Sequence, residues 1–108
     1  MNEKIKDFAN KHPEGFTIDP VTLETPKRGY AVAMLETQGS FGDDGLKRAL
    51  EKAAKNGDFL GGWLDAESGL FYYDRVKVIE DRDEAVKVGK ENLQIAIFDL
   101  STGTEIRL

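Results

Sequence analysis

The sequence predicts a single α+β domain with a mainly antiparallel sheet. Three observations carry that reading. Two short apolar runs, residues 30–35 and 94–100, have strand length. A Gly-Gly-Trp segment and an aromatic segment flank the turn Asp65-Ala66-Glu67-Ser68-Gly69, which is a hairpin signature. Two stretches with helical periodicity separate these strands, one after Gly42 and one after Asp81.

The chain begins with Ile5, Phe8 and Ala9 at i, i+3 and i+4, so residues 2 to about 10 are predicted as a short amphipathic helix. Pro13 biases His12 away from the helical region and ends it. Phe16 and Ile18 alternate with polar neighbours, Asp19-Pro20 signals a turn, and Val21 and Leu23 resume the alternation; a small hairpin is expected there. Residues 1–26 thus form a helix and hairpin ahead of an α+β core at 30–108 within one 108-residue domain.

Tyr30 to Leu35 is uninterrupted by polar residues, so a strand covered on both faces is expected. Ser40 is predicted to cap the next helix, with Asp43 and Asp44 complementing its positive end. Leu46, Ala49, Leu50 and Ala53 form its apolar stripe, and Asn56-Gly57 stops it. A strand over 59–64 and a second through Leu70, Tyr73, Val76 and Ile79 pair antiparallel, with Gly61-Gly62 marking a bulge or a close approach. Asp81 and Glu84 fit a helix start, Asn92 ends that helix, and a last strand over 104–108 follows Gly103.

From Tyr30 onward the order is strand, helix, strand, strand, helix, strand, the split β-α-β order of ferredoxin-like folds. The strands at 30–35 and 95–100 are then expected in the centre, both helices on one face, and the N-terminal helix and hairpin or a partner on the other.

Composition excludes several function classes. With no cysteine, disulfides, thiolate catalysis and zinc-cysteine sites are ruled out. Fifteen Lys and Arg against twenty Asp and Glu leave a formal charge of -5, so direct nucleic-acid binding is not expected. No apolar run has signal-peptide or membrane-span length, and a cytoplasmic address is expected. His12, the single histidine, has no second ligand or base beside it in sequence and is expected to be a helix-terminating residue. No catalytic set, metal site or cofactor is predicted.

The most informative stretch pairs Gly61-Gly62-Trp63-Leu64-Asp65 with Phe71-Tyr72-Tyr73-Asp74. Alternation sends Phe71 and Tyr73 to the core and Tyr72 and Asp74 outward. Trp63, Asp65, Tyr72 and Asp74 are therefore the candidate interaction surface, since aromatic faces beside carboxylates suit a protein partner. Gln38 and Ser40, between a strand end and a helix start, are the candidate anion or ligand loop. An alternative places Gln38, Ser40, Asp65 and Asp74 around one small-ligand or enzymatic pocket at the strand ends. A further alternative is an acidic inhibitor of a nucleic-acid enzyme.

The segments Lys11 to Ile18, Gly29 to Ala33, Gly61 to Gly69, Asp81 to Ala85, and Asn92 with Gln94 to Leu100 together resemble a small domain of phage and conjugative-element proteins. There it is an accessory part of large polyvalent proteins or a short free-standing chain. The resemblance covers most of the sequence and implies a non-enzymatic interaction or accessory role. It brings no catalytic residues with it. Because the sequence spans the module alone, it is expected to act alone, to pair with another chain or to lack an activity of its own.

Overall fold

The computed structural model describes residues 2–108. In chain order they form α1 (Asn2–Lys11), β1 (Phe16–Ile18), β2 (Tyr30–Ala33), a 3-10 turn (Leu35–Thr37), α2 (Gly42–Asn56), β3 (Phe59–Asp65), β4 (Leu70–Ile79), α3 (Arg82–Glu91), β5 (Ala96–Asp99) and β6 (Thr104–Arg107). The six strands make one sheet in the order β1-β3-β4-β2-β5-β6, and every neighbouring pair is antiparallel. β4 thus lies between β2 and β3, which α2 connects, and β2 lies between β4 and β5, which α3 connects.

All three helices cover the same face. Ile5 of α1 and Leu46 and Ala49 of α2 pack with Ile18, Leu60 and Tyr73 in one buried cluster. Ala85 of α3 packs with Val32, Met34 and Ile97 in a second. Along β4 the two clusters are separated by Arg75 and Lys77. Arg75 reaches Glu36 and, at 3.0 Å, Asp58, and Lys77 reaches Asp58 at 3.6 Å. The Arg75 Nε–H is not aimed at the Asp58 oxygen, so that contact is ionic without a formed hydrogen bond.

Several expectations are corrected. No strand follows Asp19-Pro20. The Asp19 carboxylate accepts from the amides of Val21 and Thr22, taking donors that a strand would use, and Leu23 turns with φ 63° to pack on the first cluster. β1 instead pairs with β3. β2 ends at Ala33 because the chain turns at Leu35, whose amide bonds the Asn92 side chain at 3.0 Å. The Thr37 hydroxyl then accepts from the Arg75 amide at 2.9 Å in place of a strand carbonyl.

β2 is central, but β5 is second from an edge, since β6 pairs outside it. β2 is also covered on one face only. Val32 lies under α3, whereas Ala31 and Ala33 point to the opposite side of the sheet and belong to neither buried cluster. No bulge interrupts β3, whose register with β4 runs unbroken from Phe59↔Val76 to Asp65↔Leu70. Gly62 is there to admit the Phe16 ring, since a Cβ would lie 2.4 Å from it.

The cap of α2 is corrected as well. Phe41 is the N-cap and gives no side-chain bond, while Ser40 is buried with its hydroxyl unpartnered. Its carbonyl bonds the Tyr73 amide at 2.8 Å, and its backbone abuts Gly45, where a Cβ would come within 2.4 Å. At the other end of α2, Gly57 adopts φ 66° as the sequence predicts, and Asp81 caps α3 through the Glu84 amide.

Candidate functional site: the helix-free face of the sheet

Strand alternation and register decide what the uncovered face presents. β3 contributes Gly61 and Trp63, and β4 contributes Tyr72, Asp74 and Val76. β2 adds Ala31 and Ala33, and β5 adds Ala96 and Phe98. The middle of the face therefore carries glycine and alanine, while Trp63 and Phe98, 45% and 41% exposed, stand at its sides. Lack of side-chain volume between two aromatic walls leaves a groove of about 680 Å³, running from Thr17 on β1 to Glu105 on β6. That volume lies within the range of about 300–1,000 Å³ typical of small-molecule sites.

Asp74 sits on the groove lining opposite Gly61. Burial pushes its carboxyl up to about 6, against the opposing pull of the Thr37 hydroxyl. None of the ion pairs among the described residues includes Asp74. The other carboxylates of the lining have partners. Glu14 faces His12 at 3.5 Å and Glu105 faces Arg107 at 3.4 Å. A perturbed, unpaired acid in a cleft makes Asp74 a candidate functional position.

Next to the groove, Trp63 stacks on its cross-strand partner Tyr72, with centroids 5.1 Å apart and rings inclined 15°. Phe41, half exposed, leans on Tyr72 from the other side at 5.6 Å. The β3–β4 pairing thus continues outward as a row of three aromatics.

Of the residues singled out in the sequence, Trp63, Tyr72 and Asp74 come together on this face. Asp65 does not join them functionally, because it binds its own turn: its carboxylate accepts from the Glu67 amide and the Ser68 hydroxyl. It is also four register positions from the Asp74 pair, so the two acids do not face each other. Gln38 caps the 3-10 turn and Ser40 is buried, and neither lines the groove. The composite pocket of Gln38, Ser40, Asp65 and Asp74 is therefore not formed; of the four, Asp74 alone lines the groove. His12 follows α1 and stacks on Phe8 with centroids 4.3 Å apart.

Sequence reasoning missed the floor. Ala31 and Ala33 alternate with the larger Tyr30 and Val32, a pattern that leaves one face of the strand without volume. Phe98, Thr25 and Glu105 carry no comparable local signal. Among the described residues no group of three or more His, Cys, Asp or Glu is placed to hold a metal ion, and no helix is long and apolar enough to cross a membrane.

No protein-family model matches the chain, and neither a curated protein nor a solved structure matches it.

Proposed function

We propose that this domain is a non-enzymatic binding module that recognises its ligand on the helix-free face of the sheet. The observation that carries the reading is the distribution of volume. Three helices crowd one face, and the other pairs an alanine and glycine floor with aromatic walls. A sheet left bare for solubility alone has no use for exposed Trp63 and Phe98 around an apolar floor. A fragment screen by thermal shift tests it. Fragments that raise the Tm of the wild type are expected to leave Ala33→Leu unmoved, because the leucine fills the floor. Fragments that shift both alike would overturn the reading.

A protein partner at the row Phe41, Tyr72 and Trp63 is the second reading, supported by the exposure and stacking of these rings. It predicts that Tyr72→Ala abolishes a pull-down that Ala33→Leu leaves intact. The same proposal takes the β2–β5 core as a split β-α-β unit of ferredoxin-like order, built on the insertion of β4 between β2 and β3. A cytoplasmic setting and an accessory role beside phage or mobile-element proteins belong to the proposal too, supported by sequence features alone.

A further inference from the structure

The charges along the groove are one-sided. The chain has fifteen Lys and Arg residues, yet none lines the groove, whereas Glu14, Asp74 and Glu105 do. Glu105 is met by Arg107, Glu14 has the His12 imidazole 3.5 Å away, and Asp74 has no basic side chain in contact among the described residues. Around it are an alanine and glycine floor and the Trp63 side chain, whose ring is stacked on Tyr72. A carboxylate beside an aromatic ring in apolar surroundings favours an ammonium group through both ion pairing and the ring quadrupole.

The floor also limits the form of the ligand. β3, β4, β2 and β5 are each paired on both sides, so they have no free ladder of backbone donors and acceptors for an added peptide strand. A peptide laid across them would set its amides over Ala31, Ala33, Val76 and Ala96 without partners. A compact molecule whose only polar group is its charged head avoids that cost.

Resting on the assignment of the helix-free face as the binding surface, we propose that the groove takes a small organic cation: an apolar body lying on the alanine floor and an amine or quaternary ammonium head set against Asp74.

The test is a titration of the full chain with phenylbutylamine, phenylbutanol and phenylbutyrate, three probes of one shape and different charge, read by fluorescence. Trp63 is the single tryptophan and stands in the groove wall, so the signal reports the site directly. The amine is expected to bind about tenfold more tightly than the alcohol, with the acid weakest. In Asp74→Asn that preference should shrink to within about threefold, while Glu67→Gln, in the exposed β3–β4 turn, should preserve it. Glu105→Gln is a second variant that lowers the groove's charge without touching its floor, and a smaller loss of amine preference is expected. Equal binding of all three probes would overturn cation selection and leave the binding face standing. An amine preference that persists in Asp74→Asn would overturn the assignment of the head to Asp74. Tighter binding of a lysine-containing tripeptide than of the amine would overturn the compact ligand. If no probe binds at millimolar concentration, both the cation and the binding-face readings fall.

Discussion

Gly61 stands directly opposite Asp74 in the β3–β4 pair, so no side chain from the neighbouring strand covers that carboxylate. The acid is nonetheless held partly out of water, and its carboxyl is pushed from the ordinary 3.8 to about 6. A raised acid pKa means that the folded chain binds the proton more readily than the unfolded chain does. The contribution of Asp74 to stability therefore falls as pH rises from about 4 to about 6, and above that it is a constant cost. Asp74→Asn is expected to stabilise the protein by about 1–2 kcal/mol at pH 7.5, after discounting for solvent access, and to have little effect at pH 4. Urea denaturation of both proteins at the two pH values measures this. A variant that is less stable than wild type at pH 7.5 would contradict it.

Gly61 and Gly62 separate by the face each serves. A Cβ on Gly62 would lie 2.4 Å from the Phe16 ring, on the packed side, and one on Gly61 would lie 2.7 Å from a Val76 methyl, on the groove side. Gly62→Ala and Gly61→Ala are each expected to cost about 1–3 kcal/mol, since in both a packed side chain must shift to admit the methyl group. Pairing Gly62→Ala with Phe16→Leu should recover part of the loss in the same denaturation assay.

Gly45 sets two physical effects against each other. Alanine is favoured over glycine inside a helix by about 1 kcal/mol. The first turn of α2, however, rests on the Ser40 backbone, where the Cβ would approach to 2.4 Å. Backbone cannot swing aside, so Gly45→Ala is expected to lower stability by about 2 kcal/mol or more. Stabilisation would mean that this contact is not maintained in solution.

Arg75 and Asp58, whose side chains are 13% and 11% exposed, hold the seam between the two apolar clusters. Removing the cation leaves a buried carboxylate facing Lys77 alone, and Arg75→Met is expected to cost about 3 kcal/mol. Adding Asp58→Asn should return much of it, and a double-mutant cycle reads the coupling.

Local chemistry made much of this fold legible in the sequence. The Asp81 cap, the Gly57 stop, the turn from Asp65 to Gly69 and the outward direction of Tyr72 and Asp74 all follow from short-range rules. What was not legible depended on distant partners. Asp19 closing on the Val21 and Thr22 amides removed a strand, and Asn92 reaching Leu35 shortened another. Ser40 was buried by Tyr73 and Gly45 from other elements, so its side chain could not serve as a cap. The groove needed both the register that brings Gly61 beside Asp74 and the docking of α1 on the same side as α2. Neither is written in any one segment.

The helix-free face as the binding surface is tested most directly by mapping amide and methyl NMR shifts during the phenylbutylamine titration. The largest changes are expected at Ala31, Ala33, Gly61, Asp74 and Ala96, with the Trp63 indole moving alongside them. Changes centred on the outer surfaces of α2 and α3, with these floor positions still, would contradict it.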